Sequence, residues 1–173
     1  QLNQALALEA RLQTELIDGP SIDIRGPILD RLAEDPGAQK AIESEEKNLI
    51  ARRETREGHI TILEQRIEQL KSEIKGLKVQ RAARVEQLTI FQNELVGLRE
   101  LHAKGFYPKT KILAVERAMA DLRGAAGNDR ALIARAESAQ GEAINQVTMV
   151  KQRFREDVVR ELRDVQLQIS DLN

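Results

Sequence analysis

Leu101-His-Ala-Lys-Gly105-Phe-Tyr-Pro-Lys-Thr110 separates two long, charged segments of nearly equal length. Gly105 suits the left-handed residue that follows a helix C-terminus, and Pro108 lets a helix restart near Lys109, because proline in a first turn gives up no intrahelical hydrogen bond. A short break between two long matched helices is the tip of a hairpin. The stretch therefore predicts an all-α fold: a long antiparallel two-helix coiled-coil hairpin with a short N-terminal helix packed near its base.

Upstream of the tip, apolar residues recur in heptads. With Ile60 as position a, the a series is Ile60, Ile67, Ile74, Arg81, Leu88, Leu95 and His102, and the d series is Leu63, Leu70, Leu77, Arg84, Phe91 and Leu98. Steps of three and four alternate without a slip, the period that lets two helices share a seam. Downstream the seam is Ile112, Val115, Met119, Leu122, Ala126, Asp129, Ile133, Ala136, Gln140, Ala143, Val147, Val150 and Phe154. Two steps of four then lead to Val158 and Leu162, a stutter that locally relaxes the supercoil, before Val165, Ile169 and Leu172. Each long helix would run roughly 100 Å at 1.5 Å per residue.

Folding the two segments on the tip pairs seam residues whose numbers sum to 213 or 214, from His102 with Ile112 out to Ile60 with Phe154. In that register Leu88 faces Ala126, Leu70 faces Ala143, and the one acidic seam residue, Asp129, meets Arg84. A polar layer costs stability and specifies alignment, which a repetitive seam needs. The competing possibility is that Arg81 and Arg84 both snorkel out of a thin seam.

Closer to the N-terminus the first long helix loses its apolar partners, its heptad positions becoming Arg56, Arg53, Leu49, Glu46 and Ile42. The facing stripe of Val158, Leu162, Val165, Ile169 and Leu172 stays apolar and needs another cover. Leu2, Ala5, Leu8, Leu12 and Leu16 form one face of a helix over residues 1–17, which is expected to supply it. Asp18-Gly19-Pro20 ends that helix, with Gly19 as the left-handed residue, and Pro27 is placed to open a one- to two-turn helix over Ile28–Glu34. Asp35-Pro36 reads as N-cap and first helical residue of the long helix. The expected organisation is one domain: helix 1–17, loop with a short helix 18–35, helix 36–104, tip 105–108 and helix 109–173.

Composition agrees. Charged residues make up 32% and aromatics 2%, as suits a seam one layer thick rather than a wide core. The 27 basic and 28 acidic residues leave a net charge of −1, which argues against nucleic-acid binding and electrostatic membrane attachment. With no cysteine, thiolate chemistry and disulfides are excluded. The chain begins at Gln1 rather than Met, as expected of a piece of a longer protein, and no apolar run reaches the ~20 residues that span a bilayer. His59 and His102 lie far apart without metal-ligand spacing, and no nucleophile–base set or phosphate loop is present, so neither an enzyme nor a cofactor is expected. Gly124-Ala-Ala-Gly127 lies mid-helix and reads as close helix approach or a local soft spot.

The tip remains as the candidate site. Phe106 and Tyr107 are two of only four aromatic residues, flanked by Lys104 and Lys109, and aromatic anchors with a basic rim suit protein docking. Leu101, Lys104, Gly105, Phe106, Tyr107, Pro108 and Lys109 form the expected partner-binding tip, and Arg84 with Asp129 the register-setting pair. The alternative is that Phe106 folds back and staples the helix end.

Leu101, Gly105, Leu113, Arg117, Leu122 and Gly124, in a Leu-x3-Gly turn followed by a helix restart, resemble the hairpin tip of haemolysin D-like membrane-fusion proteins, the periplasmic adaptors of type I secretion systems. LALEARLQTEL near the N-terminus and QRIEQLKSEIKGLK over Gln65–Lys78 are similar to the branch that exports proteases and lipases. The resemblance implies an inner-membrane-anchored parent with lipoyl-like and β-barrel domains flanking a periplasmic hairpin. It implies self-association into a ring, a TolC-like outer-membrane channel at the tip and an ABC transporter below, with no direct membrane contact by this segment. Many such adaptors carry Arg-x3-Leu-x6-Ser at the tip. Leu101 fits the Leu, but Gly97 and Pro108 stand at the Arg and Ser positions, with Arg99 close enough to substitute for the Arg. A scaffold coiled coil of an unrelated cytosolic protein is the alternative.

Overall fold

In the computed structural model, residues 1–172 are described; Asn173, the last residue of the expected second long helix, lies outside them. The elements are α1 (Leu2–Leu16), α2 (Pro27–Glu34), α3 (Pro36–Ala103) and α4 (Lys109–Leu172), with no strand among the described residues. Two compact units result, one of Gln1–Glu64 with the described residues from Asn145 onward, the other of Gln65–Ile144.

The first unit is a three-helix section. Ala5 and Leu12 of α1 pack with Val158 and Val165 of α4, with Leu8, Leu16, Phe154, Leu162 and Ile169 around them. On its other side α1 sets Leu6 and Ala7 against Ile28, Ala38, Ala41 and Ile42, and Ala10 against Ile22 and Leu49. Helix α1 is thus the expected cover for the α4 stripe, and it also restores apolar company to Ile42 and Leu49. Its charged contacts set its direction. Arg11 meets Glu45 and Asp18 meets Arg56, so α1 runs parallel to α3; Glu9 accepts from Gln166 and Arg11 faces Glu161, so it runs antiparallel to α4.

Both ends of the 18–35 connection follow local rules, with one correction. The left-handed residue ending α1 is Asp18 (φ 53°), not Gly19. Gly19 N–H donates to the Thr14 carbonyl at 2.9 Å and Asp18 N–H to Glu15 at 3.3 Å, the doubled bonding of a Schellman cap. Aspartate tolerates this conformation, and here it aims its carboxylate at Arg56 Nη2, 2.6 Å away. Arg53 adds donors to the Gly19 and Pro20 carbonyls. At the start of α3, Asp35 Oδ1 accepts from Gly37 N–H at 2.7 Å, leaving Pro36 at the first helical position, as expected.

An ionic cluster lies among the three helices, buried at Arg11 and Glu15 and part-exposed at Arg52 and Glu161. Arg11, 4% exposed, donates to Glu15 (2.7 Å) and Glu45 (2.5 Å), and Arg52 reaches Glu15 (3.3 Å) and Glu161 (2.8 Å). Burial works to lower the Arg52 pKa, but the hydrogen bond to Glu161 and the charges of Glu15, Glu161 and Asp157 outweigh it and raise it. Arg52 and Arg56 also lie 5.6 and 4.7 Å from the centre of the Phe154 ring, so the arginines where α3 lost its heptad pattern carry structural work.

In the second unit the heptad pattern and the burial pattern coincide. From Gln65 to Leu98 every residue not fully exposed is an a or d residue, and Arg81 is the one seam position left in solvent. Ile74 and Leu77 pack with Ile133 and Ala136, while Leu88, Phe91, Leu95 and Leu98 pack with Ile112, Val115 and Met119. The two seam arginines divide the two expectations between them: Arg81 snorkels, whereas Arg84 Nη1 lies 2.8 Å from Asp129 Oδ2 and 2.9 Å from the Ala125 carbonyl. Lys78–Glu137 and Arg99–Glu116, each at 2.8 Å, bridge the same two helices. A Cβ at Gly124 or Gly127 would meet nothing within 4 Å, so close helix approach is not their role.

Candidate functional site

The tip is built by the end of α3. Gly105 takes φ 81°, which lets its N–H reach the His102 carbonyl (2.9 Å) and the Phe106 N–H reach that of Leu101 (3.0 Å). These bonds satisfy two of the carbonyls that a helix end leaves without partners, and they hold the turn. His102 does not form the last apolar layer with Ile112. It is exposed, and its Nδ1–H donates to the Tyr107 carbonyl at 2.7 Å, tying the two sides of the turn together. The carbonyl can only accept, so the proton sits on Nδ1.

The two tip aromatics part company. Tyr107 is half-buried against the Leu95, Ile112 and Met119 cluster, with Lys111 Nζ 5.9 Å from its ring centre. Phe106 is 78% exposed and does not fold back as a staple. Leu101 is 44% exposed beside it, and Lys104, Gly105, Pro108 and Lys109 are all exposed. Leu113, 43% exposed, lies near the start of α4 and was not among the expected partner-binding residues. Its signal was available: it stands one place past the seam residue Ile112, where a leucine has no intramolecular reason to be. Arg99 is occupied by Glu116, so it is held across the hairpin rather than left open.

The arrangement presents a bulky apolar side chain on a turn held by hydrogen bonds, flanked along the chain by the exposed Lys104 and Lys109. Such a surface suits docking, since little ordering entropy remains to be lost on contact. Among the described residues no group of three or more His, Cys, Asp or Glu side chains could hold a metal ion, and no helix is long and apolar enough to cross a membrane. The second candidate, the Arg84–Asp129 pair, lies within the seam, with Asp129 1% exposed.

The comparisons with known proteins converge. PrsE of Rhizobium meliloti (strain 1021), described as a type I secretion system membrane fusion protein, is 31% identical over 172 residues, covering 98% of this chain. The chain spans 38% of the length of that relative. The crystal structure of the soluble domain of LipC, described as a membrane fusion protein of a type I secretion system, superposes with a TM-score of 0.91 at 22% identity, over 99% of this chain and 80% of that one, a likeness of fold. The family model described as AprE, long alpha-helical hairpin, matches residues 1–173. With the whole chain matched and the hairpin seen in its packing, the chain belongs to the AprE long alpha-helical hairpin family.

Proposed function

We propose that this chain is the periplasmic arm of an adaptor in a type I, ABC-transporter-driven protein secretion system. Its parent is anchored in the inner membrane, and the hairpin tip docks on a TolC-like outer-membrane channel. Copies of the parent stand side by side in a ring, and the segment itself performs no catalysis. The observation that carries the reading is Phe106, 78% exposed on a turn closed by two backbone hydrogen bonds. Family membership supports it, as does the description of PrsE as a type I secretion membrane fusion protein. A scaffold coiled coil of a cytosolic protein gives no reason for an exposed Phe106 flanked by Lys104 and Lys109.

The test is Leu101→Asp with Phe106→Asp in the full-length protein. Neither residue supports the seam, so folding and assembly should persist while export falls by at least about tenfold, the loss expected when a buried apolar anchor becomes a charge. Undiminished export from a normally assembled complex would remove the tip from the docking contact.

A further inference from the structure

In the first unit, the flanks of α3 and α4 that turn away from each other are mainly acidic on α3, where the exposed Lys47 is an exception, and mainly basic on α4. Arg52 and Glu161 point across the α3–α4 contact, Nη1 to Oε2 2.8 Å. Two residues before each stands an exposed aliphatic residue, Ile50 at 53% and Val159 at 44%. Two residues of helix turn a side chain by about 200°. Ile50 and Val159 therefore mark the flanks directed away from that contact, one on each helix.

Around Ile50, Glu43, Glu46, Glu54 and Glu57 recur at helical spacing, Glu46 half-buried and the others exposed. None has a cationic partner among the described residues; Glu43 only accepts from Gln39 at 2.9 Å. Val159 stands on an open face of α4, lined also by Gln152, Arg155, Glu156, Arg160 and Arg163. Arg155 and Arg163 stand four residues to either side of Val159 and have no anionic partner among the described residues, while Arg160 is already held by Asp157 at 2.7 Å. Glu156 is the one acidic lining residue. The two flanks lie at the same level of the helices, because Arg52, inside the acidic run, sits opposite Glu161, inside the basic one.

We infer that these flanks are the two halves of a lateral contact between copies of this chain, the Ile50 flank of one copy packed against the Val159 face of the next. An aliphatic centre with charged residues around it matches the anatomy of protein interfaces, and the opposite charges set partner choice and alignment. Because the halves are different surfaces of one chain, the contact is heterologous: each copy has both, so it propagates and can close into a ring. The inference rests on the adaptor reading and names the surfaces that would make its ring.

The test uses the full-length protein in its membrane, cleared of any cysteine outside this segment, which has none. Ile50→Cys and Val159→Cys are placed in separate copies, and a bismaleimide cross-linker is added. A mixture of the two should give dimers, each variant alone should stay monomeric on a denaturing gel, and a chain carrying both should give a ladder. Arg155→Glu with Arg163→Glu should lower the yield about tenfold, since exposed pairs of modest strength are turned from attraction to repulsion. Glu54→Arg with Glu57→Arg in the facing copy should restore it. All these positions are on the surface, and an unchanged helical circular dichroism signal verifies folding. Dimers from either single variant alone, no dimer from the mixture, or a yield indifferent to charge reversal would each overturn the contact. The cross-link is read without secretion, so its failure leaves the tip experiment to judge the adaptor reading separately.

Discussion

The Arg84–Asp129 pair is unequal in its access to water, and that inequality predicts unequal mutants. The Arg84 side chain is 27% exposed and that of Asp129 only 2%. Replacing Arg84 by Ala leaves a carboxylate inside the seam with no cation and almost no water, a situation that costs about 3 kcal/mol or more. Replacing Asp129 by Ala leaves a long guanidinium side chain that can turn outward, as Arg81 already does, or keep its bond to the Ala125 carbonyl. That change should cost about 1 kcal/mol, the net value of one hydrogen bond. The double variant should lose less than the sum of the singles by roughly 1–2 kcal/mol, because residues in contact are coupled. Replacing both by Leu should leave stability equal or higher, since apolar pairs often match buried ion pairs. Urea denaturation followed by circular dichroism at 222 nm supplies all four values. Equal costs for the two single variants, or an additive double variant, would refute the claim that the pair is an inward-facing unit within the seam.

Three further outcomes are expected. Leu12→Ala, at a site with 0% exposure between α1 and α4, should cost 2–5 kcal/mol in the same denaturation experiment, because the helices that line the cavity cannot collapse fully. Gly105→Ala should cost about 1–2 kcal/mol, read as a fall in denaturation midpoint, since the φ of 81° is disfavoured once a Cβ is present. The Arg56 hydrogen bond lowers the Asp18 pKa, and the Gly37 N–H, assisted by Asn3, lowers that of Asp35. A carboxylate whose folded pKa is depressed stabilises the fold above its ordinary value near 4 and loses that contribution as pH falls through the folded value. Asp18→Asn with Asp35→Asn should therefore flatten the decline in melting temperature below about pH 4.

The second unit was legible residue by residue. An alternation of three and four over Ile67–Leu98 leaves one stripe per helix able to escape water, and the break at Gly105 dictates which residues face each other, so the Arg84–Asp129 contact follows from arithmetic on the chain. The departures occur where backbone geometry or a neighbouring element intervenes. His102 occupies a seam position, yet the turn exposes it and brings the Tyr107 carbonyl within 2.7 Å, so Tyr107 packs where His102 was expected. Asp18 rather than Gly19 takes the left-handed position because Arg56, 38 residues away, repays the choice.

By itself, then, the sequence determined the helices, their antiparallel seam, the alignment about residues 105–108 and the need for a cover over Val158–Ile169. These depend on periodicity and on proline and glycine signals, which act within a few residues of each other. Only the tertiary structure decided that α1 packs against both α3 and α4 with Arg11 buried against Glu15 and Glu45, and that Phe106 stands free while Tyr107 packs. Such choices depend on which distant side chain is near enough to hold a charge or fill a space, and no local pattern along a chain records that distance.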